Sequence, residues 1–404
     1  MRDNAAHSGR RKNKMDCKKI LAGVAIGAAA VATESEGFAF EREEPEKYWN
    51  IQELYKAPIY RDSGFEDSKA EGMRDIMVSG YGPKGTKAEF FAYVSLPTTP
   101  KPADGYPGIV LVHGGGGTAF PQHVKRWVGY GFAVIALDWY NKRPIPLNDT
   151  APESKSVRRV DLVGGERNDF VANVANMVLC NSLLRSLPEV NPDKIVFVGL
   201  SWGSWYGAIV AAVDSRLKGV VEIYCGDLRE DKNTLVNGRF LHAAKVPMYW
   251  VASTHDQNVT LESLRAAFNE CPTIVTKSLV IELPHSHIGF TFDSCPRMAR
   301  HFMDPNKVPS LPVLGKPSVK DSVVSAEIKS LGLGLGKALL CYSCSPKTEK
   351  RHLWKWETLP AEINGSTISA KIPEGVTQCY LSIYEEACGA YNDLCGTTEV
   401  VDFE

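Results

Sequence analysis

From residue 107 onward the chain alternates short apolar, β-branched runs with longer helical stretches, and this alternation narrows the possible architectures more than any other feature. The apolar runs lie at 108–112, 132–137, 194–199, 219–224, 247–252 and 278–283. Each is hydrophobic almost without interruption, as a parallel strand buried on both faces must be. Helical patterns at 122–129, 169–187, 202–213, 261–269 and 296–302 fall between them. Such a series predicts a doubly wound, mostly parallel α/β sheet. Near Met303 the texture changes. Asp304-Pro-Asn-Lys-Val-Pro-Ser-Leu-Pro312 is proline-rich and reads as a linker. Short alternating runs follow at 323–329, 338–345, 367–372, 378–384 and 398–403, with turn residues such as Asn364-Gly365 between them. They predict a small all-β, sandwich-like domain. The expected division is a leader at 1–32, an extension at 33–74, the α/β unit at 75–304, a linker at 305–316 and the β-domain at 317–404.

The leader is expected from charge and hydropathy. Seven basic side chains fall within residues 1–32 against two acidic ones, and the apolar run 20–32 ends on Ala30-Val-Ala32. A positive head, a short apolar run and a small-residue cleavage site describe a secretory signal peptide. The run is shorter than the ~20 residues a spanning helix needs, so no stable membrane insertion is expected after cleavage. A secreted or periplasmic location follows. The rest of the chain is mildly acidic and offers no electrostatic footprint for nucleic acid. Ten cysteines, five of them at or after Cys341, suit an oxidising compartment with some disulfides.

The most informative motif is Gly199-Leu-Ser201-Trp-Gly203, which follows the apolar Ile195-Val-Phe-Val198 and opens a helical pattern. A serine on a tight strand-to-helix turn is held above the sheet, and only small residues fit two places before and after it. Ser201 is therefore the expected nucleophile. His113-Gly-Gly-Gly-Gly117 directly follows another apolar run, Ile109-Val-Leu-Val112. Consecutive glycines let backbone N–H groups approach a reacting carbonyl. An amide of Gly115 or Gly116, with that of Trp202, is expected to form an oxyanion hole. His113 is expected to brace the loop.

An acid and a base should follow the serine in that order. Asp256 comes directly after a strand and is the expected acid, with Asp227 in reserve. Two histidines, His285 and His287, compete for the base. His287 is favoured because it lies deeper in its loop and precedes Ile-Gly-Phe290; His285 is the alternative. Asp138 ends a strand but precedes the nucleophile, and is read as structural.

Three further patterns are set aside. Cys341-Tyr-Ser-Cys344 has zinc-like spacing without a second pair, so no metal is expected. Gly332-Leu-Gly-Leu-Gly-Lys337 lacks the leading glycine and the hydroxyl residue of a phosphate loop, and a strand follows it. Trp354 and Trp356 alternate in a β-domain, where core packing is the commoner use. No cofactor is expected.

At these motifs the chain resembles a known group. Segments 112–144 (HGGGGTAF, Trp127, GFAVIALDW), 199–226 and 246–290 are similar to α/β-hydrolases of the acetyl xylan esterase and dienelactone hydrolase-like group. Prolyl-oligopeptidase-type catalytic domains share this core. The resemblance covers about residues 75–305. Residues 338–342 and 356–360 resemble the fibronectin-like β-domain that accompanies some secreted esterases. Two departures stand out: Ser204 where a second glycine is common, and Ser286-His287 where Gly-His is usual. The resemblance implies a serine carboxylic-ester hydrolase acting on a small-molecule or carbohydrate ester. A serine peptidase and a non-catalytic carbohydrate-binding protein are the alternatives.

Overall fold

The computed structural model describes residues 42–64, 72–139, 170–224 and 237–403. The leader, Asp227 and residues 140–169 lie outside these ranges.

The strands of the first sheet are β1 (Tyr60–Asp62), β2 (Met73–Tyr81), β3 (Lys87–Ser95), β4 (Tyr106–Val112), β5 (Ala133–Leu137), β6 (Val190–Leu200), β7 (Gly219–Ile223), β8 (Met248–Ser253) and β9 (Ile274–Val280). They lie in the order β1-β2-β3-β5-β4-β6-β7-β8-β9. From β5 to β9 every pairing is parallel, and β1–β3 add an antiparallel flank. The helices are α1 (Ile51–Leu54), α2 (Pro121–Gly129), α3 (Phe170–Ser186), α4 (Trp202–Val213), α5 (Leu261–Glu270) and α6 (Ser294–Met303).

Alternate strand residues feed two cores. Val110, Val112, Ile195, Phe197, Met248 and Trp250 join α3, α4 and α5 on one face. Ile109, Leu111, Val196, Val198, Tyr249 and Val251 join α2 and α6 on the other. This two-sided burial explains the uninterrupted apolar runs. The sheet is wider than the sequence suggested, because β1 and the start of β2 lie in the stretch read as an extension. That stretch is also anchored, since the Trp49 indole N–H donates to Val171 O at 2.9 Å.

The C-terminal strands are β10 (Val313–Leu314), β11 (Ser318–Lys320), β12 (Val323–Ser330), β13 (Lys337–Ser343), β14 (Trp356–Pro360), β15 (Glu362–Asn364), β16 (Thr367–Lys371), β17 (Gln378–Tyr384), β18 (Cys395–Thr397) and β19 (Val401–Asp402). They form two antiparallel sheets, β10-β12-β16-β15 with β11, and β14-β13-β17-β18 with β19. Leu340, Leu381 and Ile383 face the other sheet, whereas Cys341, Trp356 and Tyr380 join the hydrolase core. The second sheet is thus covered on both sides. The 305–316 stretch is not a free linker: Leu311 is buried, β10 pairs with β12, and Pro312 O accepts from Thr276 Oγ1 at 2.5 Å. Across the otherwise open edge of β9, Leu279 N–H donates to Thr397 Oγ1 at 3.1 Å, and Ser278 Oγ donates to Cys395 O.

The expected disulfides do not occur among the described residues. All eight described cysteines are free thiols, and six of them are buried. Burial pushes the Cys341 and Cys379 thiols up to about 12. These residues serve as small apolar fillers.

One buried carboxyl breaks the apolar pattern. Glu222, in the middle of β7, is fully buried, and its side chain lies against Gly207 of α4. Burial pushes its pKa well above the carboxylate range. The Ser204 hydroxyl offsets part of this, but that hydroxyl is committed to Ser201 O at 2.6 Å. Because burial penalises ionisation only in the folded chain, the folded state binds the proton more tightly. Stability is therefore full below the unfolded value near 4.3 and falls as pH rises above it, by up to about 1.4 kcal/mol per unit, until the folded group ionises. Glu222→Gln is expected to flatten this slope and to be the more stable protein at pH 8. Urea melts at pH 5 and pH 8 check this: the same pH difference in both proteins would assign the slope elsewhere.

Candidate active site

Ser201 sits between the last residue of β6 and the first of α4, at φ 53° and ψ −115°. A non-glycine residue holds such a conformation only when its surroundings impose it. The flanking glycines show how. A Cβ on Gly199 would stand 2.3 Å from Gly203 O, and one on Gly203 would stand 2.3 Å from Val112 O. The elbow thus lies directly on the end of β4, where the glycine loop begins. Ser201 N–H donates to Ile223 O at 2.7 Å, while the amides of Ser204 and Trp205 donate to Ser201 O. The Ser204 hydroxyl adds its own bond to that carbonyl, which gives the departure from glycine at this position a local role.

His285, not His287, meets the serine. Its Nε2 lies 2.9 Å from Ser201 Oγ and its Nδ1 lies 2.7 Å from Asp256 Oδ2. A carboxylate only accepts, so Nδ1 carries the proton and Nε2 accepts from the serine hydroxyl. The preference for His287 miscounted the loop. β9 ends at Val280, three residues earlier than its apolar run suggested, and 281–284 already make the return to the elbow. His287 instead opens a 3-10 turn, His287–Thr291. There its Nε2 accepts from Gly114 N–H at 3.3 Å.

Asp256 stands just past β8, is 2 % exposed, and accepts at Oδ1 from the amides of Asn258 (2.8 Å) and Val259 (3.2 Å). These bonds leave Oδ2 aimed at the imidazole. Tyr224, which sequence reasoning passed over, completes the clamp. Its ring stacks on His285 with centroids 4.4 Å apart, and its hydroxyl donates to Pro284 O. An aromatic residue directly after β7, the strand next to that of the nucleophile, was the available signal.

The glycine loop lies beside the serine. A Cβ on Gly114 would meet Ser201 Cβ at 3.2 Å, and one on Gly115 would strike the Trp202 indole at 2.3 Å. Within the loop, Gly117 N–H donates to Gly114 O at 3.1 Å. Gly116 has a φ of 75°, a value that favours glycine. His113 lies beneath the loop. It donates from Nδ1 to Gly114 O at 2.8 Å, faces the buried Asp138 across 3.2 Å, and stacks on Trp139. Trp139 in turn donates to His113 O at 2.8 Å. Trp202 touches Trp205, Trp139 and Phe170, which makes an aromatic wall beside the nucleophile. His123, near Phe120 and Phe290, is pushed down to about 4 by burial and by Arg126. Among the described residues no acidic, histidine or cysteine cluster has metal-holding geometry, and no helix is long and apolar enough to cross a membrane.

An acetyl xylan esterase from a Paenibacillus species aligns with 65% of this chain and 95% of its own at 15% identity and a TM-score of 0.46. Another acetyl xylan esterase, from a Thermoanaerobacterium species, aligns with 66% and 95% at 16% identity and a TM-score of 0.43. In sequence, the mouse mitochondrial acyl-coenzyme A thioesterase 2 is 31% identical over 129 residues, 32% of this chain; the chain spans 23% of that relative's length. Residues 90–274, which contain the glycine loop, Ser201 and Asp256, match the model of the dienelactone hydrolase family and are similar to its hydrolases.

Proposed function

We propose that the chain is a serine carboxylic-ester hydrolase that works through an acyl-enzyme. The observation that carries this reading is the continuous relay from Asp256 through His285 to Ser201, with bonds of 2.7 and 2.9 Å. As Ser201 Oγ attacks the ester carbonyl, its proton passes to His285 Nε2, and Asp256 stabilises the imidazolium that forms. The developing oxyanion is held by the Trp202 amide and an amide of Gly115 or Gly116, close to the positive end of α4. His285 then gives its proton to the leaving alcohol. Water enters, is deprotonated by the same imidazole, and releases the acid. The acyl group is short, such as acetyl, and the alcohol is a carbohydrate; this part rests on the resemblance of the motifs.

Thioester hydrolysis is the second reading, favoured by the named activity of the mouse relative. A panel of 4-nitrophenyl acetate, acetylated xylan, acetyl-coenzyme A and an aminoacyl anilide, run on wild type and Ser201→Ala, separates the possibilities. Turnover of the oxygen esters that disappears in Ser201→Ala is the expected result. Thioester turnover alone would move the assignment to the second reading, and anilide turnover alone would make the protein a peptidase.

A further inference from the structure

Two residues of the C-terminal domain, Arg351 and Trp354, reach the loop that bears the acid. The segment between β13 and β14 folds back on itself: Glu349 N–H donates to Pro346 O, Leu353 N–H to Lys350 O, and the Trp354 indole to Glu349 O. Trp354 is buried in the core shared with the hydrolase sheet. From this braced segment Arg351 extends its guanidinium to the turn that follows β8. There one nitrogen, Nη1, donates both to Asp256 O, at 3.3 Å, and to Val259 O. These two carbonyls bracket the turn whose amides hold the Asp256 carboxylate.

A second contact runs in parallel. His255 Nε2–H donates to Trp354 O at 2.8 Å, which leaves Nδ1 to accept from the Thr254 hydroxyl, also at 2.8 Å. Thr254 Oγ1 accepts in turn from Glu282 N–H at 3.2 Å, in the loop that carries His285. The segment 346–354 therefore ties together the loops that carry the acid and the base.

We propose that Arg351 is a positioning residue of the hydrolase site, and that the C-terminal domain thereby completes the turn that aims Asp256 at His285. The inference rests on the serine-hydrolase reading above. A side-chain cation that grips both ends of a four-residue turn fixes the turn's dihedrals, and an error of about 1 Å in the acid's position is enough to cost about a hundredfold in rate.

The test is a double-mutant cycle on the full chain, measured in steady state with 4-nitrophenyl acetate in excess over enzyme. Arg351→Ala is expected to lower kcat by about ten- to a hundredfold with KM within about twofold. Arg351→Lys, which keeps the charge, should recover part of the loss. In an Asp256→Asn background, Arg351→Ala should cost almost nothing further, since a residue that acts through Asp256 has nothing left to position. An equal loss in both backgrounds, or a loss under threefold in a protein with wild-type melting, overturns the proposal. If Arg351→Ala does not fold, the cycle is run with Arg351→Lys on the same criterion. Full activity of that variant in the wild-type background also overturns it. Ser201→Ala separates this inference from the reading beneath it: if that variant is active, the reading itself fails; if it is inactive and Arg351 has no effect, only this inference fails.

Discussion

His285→Ala is expected to lower kcat for 4-nitrophenyl acetate by about a millionfold, as loss of the histidine does in serine hydrolases whose triad acts as a unit, whereas His287→Ala is expected to keep at least about a tenth of wild-type activity. The two residues are separated by Ser286 and are both partly exposed, so composition and burial do not distinguish them. Geometry does. His285 spans the gap between Asp256 and Ser201, and Tyr224 stacked on its ring restricts its rotation. His287 instead accepts from the Gly114 amide and packs against Phe120. Its removal therefore loosens one end of the glycine loop without removing a proton acceptor. The same pair of variants with the opposite outcome, His287→Ala dead and His285→Ala active, would falsify the assignment of the base.

Gly203→Val should damage both stability and activity. Its Cβ would lie 2.3 Å from Val112 O and 2.8 Å from His113 O, and both obstacles are backbone at the junction of β4 with the glycine loop. No side-chain rotation relieves that contact, so the elbow must move away from the loop. Overpacking of this kind costs about 1–3 kcal/mol, and Ser201 is displaced relative to the oxyanion donors, with an expected loss of about a thousandfold in kcat. Gly129→Ala is the control. Gly129 is the last residue of α2, and a Cβ there meets nothing within 4 Å. That variant should melt at or above the wild-type temperature, because alanine favours helix over glycine. Equal urea midpoints for Gly203→Val and wild type would show that the elbow is not held against β4.

These predictions depend on features that were unequally legible in the sequence. The six parallel strands could be read because burial on both faces leaves an uninterrupted apolar run, and Ser201 because its glycines answer a local steric demand. Asp256 was legible from its place just past a strand. His285 was not, since choosing it required knowing that β9 stops at Val280 while the apolar character continues to Leu283. β1 escaped notice because its three residues are partly or fully exposed and carry no apolar run. The docking of the β-domain was hidden for another reason. β17 is buried along its whole length, but the partners that bury one side of it belong to a different unit, and no local pattern records them. The same is true of Arg351, whose contacts lie 92 and 95 residues away in the chain.

The closure of the β9 edge also has a consequence in time. Leu279 and the Thr397 hydroxyl that caps it are 118 residues apart. At typical synthesis rates of about 5–20 residues per second, β9 leaves the ribosome some 6–24 seconds before its cover exists. Through that interval the nascent chain carries an unpaired strand edge, the kind of surface on which neighbouring chains can add a strand.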